Sequence, residues 1–173
     1  MGKKILLALA VLIGLLVLGG FVLPDRYYIE RSLGTTASLE RVQPLLDDLT
    51  RWPEWSPWEK ADSTIVTTLG AVTSGPGASQ SWTDKNGGGR LELTRVQPGR
   101  VEYDVFFADS PTPNHSVMSA EPGPNGTLVL SWSMDGEMDM PGVGPYFALL
   151  AGKMIGPMFE QGLESLKDAA ERP

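Results

Sequence analysis

The sequence predicts an α+β protein in which a curved antiparallel sheet of about seven strands wraps round a long C-terminal α-helix, preceded by one transmembrane helix. Three observations carry this reading. An uncharged apolar run extends from Ile5 to Leu23, a period-two texture punctuated by turn residues extends from Thr64 to Met138, and an amphipathic stretch extends from about Tyr146 to Ala170. Between the first two lies a stiff aromatic corner. Trp52, Trp55 and Trp58, three of the five tryptophans, are punctuated by Pro53 and Pro57, which forbid a continuing helix. A corner of this type suits a sheet that encloses an apolar space better than an open catalytic cleft.

The apolar run follows Lys3 and Lys4 and ends abruptly at Pro24-Asp25-Arg26. At about 1.5 Å per residue it covers roughly 28 Å, close to the hydrocarbon thickness of a bilayer. A cleaved signal peptide shares the basic start and apolar core. Such cores, however, usually run about 7 to 15 residues and end in a small-x-small site, and Leu18-Gly19-Gly20-Phe21 is a poor one. The expectation is an uncleaved anchor through residues 5–23. Residues 1–24 then form a cytoplasmic start and membrane span, and residues 25–173 form one domain, periplasmic or extracellular in a bacterial source because the lysines hold the leading side in the cytoplasm.

A length of 173 residues suits a single domain. Without cysteine, disulfide staples, thiolate nucleophiles and cysteine-held metal sites are closed. Removing Lys3 and Lys4 leaves 12 bases against 21 acids, a net charge of about -9 beyond the anchor. The bases are scattered singly, with no basic stripe for phosphates, so nucleic acid and polyanionic ligands are disfavoured.

The elements follow in order. Tyr27 to Leu33 reads as a strand directly after the anchor. Ser38 or Thr36 caps a helix carrying Leu39, Val42, Leu45, Leu46 and Leu49 at helical spacing, with Pro44 expected to bend or divide it. Six strands follow the tryptophan corner, near Thr64 to Ala71, Ala78 to Thr83, Arg90 to Gln97, Val101 to Ala108, His115 to Glu121 and Leu128 to Met138. Their turns include Ser74-Gly75-Pro76-Gly77, Gln97-Pro98-Gly99-Arg100 and Gly123-Pro124-Asn125-Gly126. Val101, Tyr103, Val105 and Phe107 share one face, and Leu128, Leu130, Trp132 and Met134 repeat the alternation. In the last segment Met154, Ile155, Met158, Phe159, Leu163 and Leu166 form an apolar stripe, and Pro157 predicts a bend near Lys153 to Gly156.

A strand, a broken helix, six antiparallel strands and a long final helix is the order of the helix-grip fold. Residues carry the likeness further. Val42-Gln43-Pro44-Leu45-Leu46-Asp47-Asp48-Leu49 leading into Trp52-x-x-Trp55-Ser56-Pro57-Trp58 resembles the START-related SRPBCC superfamily, polyketide cyclase/dehydratase-like. So do Gly75-Pro76-Gly77-Ala78-Ser79-x-x-Trp82, the strand containing Trp132 after Gly126-Thr127, and the ending Phe159-Glu160-Gln161-Gly162-Leu163-Glu164-Ser165-Leu166-Lys167. The resemblance covers roughly Tyr27 to Lys167 and implies one internal cavity, in a superfamily of lipid carriers, hormone receptors and aromatase/cyclases. The anchor is a departure from its plain soluble form.

Candidate chemistry is sparse. His115 is the only histidine, so any triad is built on it and a multi-histidine metal site is impossible. His115 and Tyr103 are the candidates for proton transfer, and neither comes with a convergent partner. Asp135, Glu137 and Asp139 share one strand face and read as a solvated surface, without calcium-loop spacing. Asn114-His115-Ser116 and Asn125-Gly126-Thr127 are glycosylation sequons. No cofactor and no metal are expected.

Trp82, Tyr103, Val105, Phe107, Met118, Leu130, Trp132, Met134, Phe147 and Ala151 are the candidate lining of a ligand cavity, on their apolar alternation together with the resemblance. The reading is a membrane-anchored domain that binds a hydrophobic small molecule or lipid without converting it. A cyclase or dehydratase-like enzyme and an envelope module for a protein partner are the alternatives.

Overall fold

The computed structural model describes residues 2–85, 87–108, 110–138 and 140–172. Its first element is α1 (Gly2–Val22), long and apolar enough to cross a bilayer and almost wholly exposed, as a membrane span or a signal sequence is. After Pro24 the chain enters β1 (Arg26–Thr35), then α2 (Leu39–Asp47), a 3-10 turn (Leu49–Glu54) and the single turn α3 (Trp58–Ala61). Six more strands follow: β2 (Val66–Leu69), β3 (Ser79–Thr83), β4 (Gly89–Gln97), β5 (Arg100–Phe107), β6 (Asn114–Pro122) and β7 (Leu128–Glu137). The chain ends in α4 (Gly144–Met154) and α5 (Gly156–Glu171).

The strands form one antiparallel sheet in the order β1-β7-β6-β5-β4-β3-β2. Six strands run as a meander, and β1 adds to the far edge by pairing its whole length with β7, from Arg26 opposite Glu137 to Thr35 opposite Leu128. An extra residue in β4 between Leu93 and Arg95 breaks the register with β5, a bulge of the kind that bends a strand. The concave face holds α5 and α2, which is the helix-grip arrangement.

Alternation decides the core. Leu91 and Leu93 of β4, Val101, Tyr103 and Val105 of β5, Ser116 and Met118 of β6, and Leu130, Trp132 and Met134 of β7 are all buried. Phe159, Leu163 and Leu166 of α5 meet them from above, each at most 1% exposed. Phe159 lies flat on the Trp132 ring, with centroids 4.2 Å apart and planes 3° from parallel. Gly162, one turn on, is small because a Cβ there would run into the Trp132 ring and Pro57.

The tryptophan corner has a second function besides filling space. α2 ends at Asp47, so its last carbonyls lack helical partners. The Trp55 indole N–H donates to the Leu45 carbonyl at 2.9 Å and the Trp52 indole N–H to the Leu46 carbonyl at 3.2 Å. Asp48 then starts the 3-10 turn by accepting from the Thr50 amide at 2.9 Å. Pro44 lies inside α2 without dividing it. Its missing N–H would have bonded back only to Glu40 in the first turn, so the short helix survives.

The C-terminal helix is broken, as Pro157 predicts, at Ile155 between α4 and α5. Arg31 of β1 pins the break, pairing with Glu160 at 2.6 Å and donating to the Gly152 carbonyl at 3.0 Å. At the other end of α5, Glu171 accepts from the Thr35 hydroxyl at 2.7 Å and the Thr36 amide at 2.9 Å. The Thr36 amide, the largest influence, holds the Glu171 carboxyl below its ordinary value.

Two expectations need adjustment. β2 is shorter than Thr64 to Ala71, because an Asp62 turn captures the Thr64 and Ile65 amides before it, and beyond it Ser74 leaves the sheet to bridge Asp48. Asn114 is also no accessible sequon: it is buried in β6, and its Oδ1 accepts from the Tyr27 hydroxyl at 2.6 Å.

Replacing Trp55 with Phe retains an aromatic body but leaves the Leu45 carbonyl unpaired in the core. A loss of about 1–3 kcal/mol is expected, read as a fall in Tm of about 2–4 °C per kcal/mol for a chain of this size. Thermal unfolding followed by circular dichroism measures it, and an unchanged Tm would remove the capping role.

Candidate functional site

Away from α5, between the corner and the shorter strands, the sheet is not filled. An apolar cavity of about 190 Å³ lies there. The sheet supplies Leu91 from β4, Tyr103, Val105 and Phe107 from β5, Met134 from β7, and Trp82 from β3. Trp52 and Trp58 close it from the corner, with Ile65 ahead of β2. Trp82 and Phe107 meet edge to face at its wall, with centroids 6.0 Å apart and planes at 75°. Both rings remain partly exposed, which places them at the rim.

Among the described residues, Ser56, Glu59, Thr67, Gln80 and Asp84 are the polar ones on the wall. A second space of about 270 Å³ adjoins the first and shares Trp52, Ser56, Glu59, Thr67 and Gln80 with it. Across this shared wall the Thr67 hydroxyl donates to the Glu59 carboxylate. The hydrogen bond ties α3 to β2 at the partition between the two spaces. Outside the wall, Asp62 accepts from Thr64 and pairs with Lys85 at 3.0 Å. The Thr64 hydrogen bonds, ahead of Lys85, push the Asp62 carboxyl down to about 2. The α3–β2 turn and the β3–β4 turn are therefore joined by an ion pair.

Tyr103 is on the wall, but its hydroxyl is committed. It accepts from the Trp132 indole N–H at 2.9 Å and is hydrogen-bonded to Ser116, whose hydroxyl in turn reaches the Ser133 carbonyl at 2.8 Å. Full burial pushes the Tyr103 phenol well above its ordinary value. It is a neutral structural group at physiological pH and holds no proton ready for a ligand. Among the described residues, no buried side-chain nitrogen or oxygen lacks a hydrogen-bond partner.

His115 is on the other face of the sheet. Its Nδ1 lies 3.1 Å from Asp104 and its Nε2 4.0 Å from Glu102, all three partly exposed and none on the cavity wall. The strand register explains this. Asn114 and Ser116 point inward, so His115 points out, opposite Asp104. Asp135 and Glu137 are exposed, with Glu137 paired to Arg26 at 2.8 Å; Asp139 lies outside the described residues. No three His, Asp or Glu side chains among the described residues converge as a metal-ligand set.

Of the ten residues expected to line the cavity, Trp82, Tyr103, Val105, Phe107 and Met134 do so. Met118, Leu130 and Trp132 share their face of the sheet but are buried in the close-packed core, with Trp132 stacked under Phe159 of α5. Phe147 is turned outward on α4, while Ala151 is buried on the side of α4 that faces the protein. Leu91 carries the same alternation signal as Leu93 and was open to the same argument. Glu59, Thr67, Gln80 and Asp84 had no such signal, since apolar periodicity selects against polar wall residues.

Comparisons with known proteins accord with this architecture. The family model described as polyketide cyclase/dehydrase and lipid transport matches residues 29–171. Among solved structures, protein CV1439 from Chromobacterium violaceum has a TM-score of 0.60 at 17% identity, covering 84% of this chain and 98% of its own. A START superfamily protein from Mycobacterium smegmatis has a TM-score of 0.58 at 16% identity, covering 84% and 97%. Protein jhp0584 from Helicobacter pylori has a TM-score of 0.62 at 7% identity, covering 83% and 88%. At these identities the likeness is one of fold. No curated protein matches the chain.

Burial raises Tyr27 to about 12, with the Asp135 charge adding to the effect, and raises Tyr103 further. Both phenols hold their protons more tightly folded than unfolded. Their contribution to stability is complete below the unfolded value near pH 10 and is lost as pH rises towards 12. Phenolate absorbance during alkaline titration is expected to show two of the four tyrosines ionising only with unfolding. Four independent ionisations near pH 10 in the folded protein would contradict this.

Proposed function

The chain belongs to the polyketide cyclase/dehydrase and lipid transport family, and from that premise we propose that it is a membrane-anchored binding protein that takes a hydrophobic small molecule or lipid into its cavity without converting it. The observation that carries this is the wall itself. Aromatic, aliphatic and methionine side chains form most of it, a surface that suits varied apolar ligands. The one phenol among them is fully engaged within the protein.

The apolar part of such a ligand lies against Trp82, Phe107 and Met134. Size narrows the ligand class. Ligand sites for whole small molecules usually measure about 300–1,000 Å³, more than either space alone. One ring system or one acyl segment fits the first space, and a longer ligand needs the Glu59–Thr67 partition to open.

The anchor belongs to the same reading. α1 supports residues 1–24 as a cytoplasmic start and span and residues 25–173 as the outward domain, periplasmic or extracellular. A cavity held beside a bilayer suits a ligand that partitions into it. The dehydratase-like alternative has one observation in its favour, the Glu59 carboxylate on the wall, and Glu59→Gln tests it: abolished turnover with retained binding would establish catalysis.

Native mass spectrometry with lipid extraction, on the full chain isolated from its own membranes, is the direct test. A stoichiometric apolar passenger is expected. Val105→Phe, which fills the wall from β5, should lower retention of that passenger about tenfold, a change of about 1.4 kcal/mol, whereas His115→Ala on the outer face should leave it unchanged. A passenger retained equally by Val105→Phe would place binding elsewhere.

A further inference from the structure

α4 is built inside out for a helix on the surface of a soluble domain. Ala148 and Ala151 face the protein and are buried. The large side chains face away: Val143 just before it, then Phe147, Leu150 and Met154, a 4-3-4 spacing that aligns them on one side. They are 39–57% exposed, and Leu149 beside them is 67% exposed. Lys153 is the one charged residue of the helix, and no Asp or Glu described between Met140 and Phe159 interrupts this segment of an acidic chain.

The position of α4 says what covers this stripe. α1 packs on it: the Tyr146 hydroxyl donates to the Leu16 carbonyl, and Gly20 is buried with its backbone directly against that of Gly142. A side chain at Gly20 would overlap the Gly142 carbonyl, so glycine there is what permits the contact. Counted back from Pro24 at about 1.5 Å per residue, Gly20 lies about 6 Å and Leu16 about 12 Å into the apolar segment. The Gly142–Tyr146 segment is therefore level with the outer part of the helix that spans the bilayer. Interfacial amphipathic helices are buried about 5–10 Å at the headgroup and acyl boundary, a comparable depth.

Resting on the anchored reading of α1, we propose that α4 is an interfacial helix that lies in the outer part of the bilayer, with Val143, Phe147, Leu150 and Met154 against acyl chains. The Tyr146 hydroxyl is satisfied by the Leu16 carbonyl within the apolar layer, and Lys153 extends its ammonium to the water. The bilayer is the one occupant continuous with both α1 and the stripe. It holds the domain in a fixed orientation, since a single span alone permits rotation and tilt while a second contact on α4 does not.

The chain has no cysteine, so single introduced cysteines report one position each. The full-length protein carrying Leu150→Cys, Met154→Cys, Leu12→Cys or Glu164→Cys is labelled with nitrobenzoxadiazole and reconstituted into phosphatidylcholine–phosphatidylglycerol vesicles. All four positions are exposed, so the core packing is untouched. Labels at Leu150 and Met154 are expected to be quenched several-fold more by lipids spin-labelled near the headgroup than the label at Glu164 on α5. The label at Leu12 is expected to respond to lipids spin-labelled deep in the acyl chain. Quenching at Leu12 without quenching at Leu150 and Met154 overturns the interfacial helix and leaves the anchor standing. No quenching at Leu12 overturns the anchor and the interfacial helix with it. Labels on α4 shielded from both lipid quenchers and aqueous iodide identify a protein partner there and likewise overturn it.

Discussion

The two indole caps on α2 are the constraint on which the rest of the domain depends. A nine-residue helix containing a proline has little stability of its own, and the carbonyls of Leu45 and Leu46 in its last turn need donors from outside it. Trp55 and Trp52 satisfy two of them while their rings pack against Trp132 at 5.7 Å and Tyr103 at 5.4 Å respectively. One pair of side chains therefore ends the helix, fixes the corner and docks it on the middle of the sheet. The Trp132 ring is held on both sides, by Trp55 edge to face and by Phe159 in a parallel stack. Long side chains of this size contribute about 1.5–3 kcal/mol each on full burial, so the joint between corner, sheet and α5 is where the domain is most tightly held.

That joint also explains why a cavity persists beside a dense core. Trp52 is packed against Trp55 and Tyr103 on one side and forms the wall of both open spaces on the other. It cannot collapse into the space without surrendering its bond to Leu46 and its contact with Tyr103. The sheet is fixed around the space as well: the β4 bulge bends it, the Glu59–Thr67 hydrogen bond ties β2 to α3, and the Asp62–Lys85 pair ties the turn before β2 to the turn after β3. Close packing is the ordinary outcome in a protein interior. Here the largest side chains are immobilised by neighbours that face the other way.

Periodicity carried the fold well beyond composition. The alternation of Val101, Tyr103, Val105 and Phe107 told which way β5 faces, and the turn glycines separated the strands to within a few residues. Proline at position 157 marked the break before α5, and the spacing of Phe159, Leu163 and Leu166 marked the side it buries. What alternation could not tell is which inward residues are covered by a helix and which face open space. Tyr103 and Met118 carry the same signal, and only the placement of the helices and the corner separates them. His115 shows the converse. Its uniqueness drew attention, but the parity of β6 turns it outward beside Asp104. The polar wall residues Glu59, Thr67 and Gln80 are brought together by a turn of helix and two short strands, a juxtaposition no local pattern reveals.

The register adds a last step. Arg26, the first residue of β1 after α1, pairs with Glu137 at one end of β7, and the same end of the sheet holds Asn114 of β6 opposite Val105, Phe107 of β5 opposite Gly89, and Trp82 of β3 opposite Gly89. Trp82 and Phe107 are the rim of the cavity. The rim and the start of β1 thus belong to one edge of the meander, because antiparallel strands of similar length return each turn to the same line. A chain that attaches its domain to a bilayer through β1 sets that edge, and not the Gln97–Arg100 turn at the opposite one, nearest to the lipid. Under the anchored reading the path from membrane to cavity runs along the ends of the strands, and the distance an apolar ligand must travel through water is set by the twist of the sheet between β1 and β3.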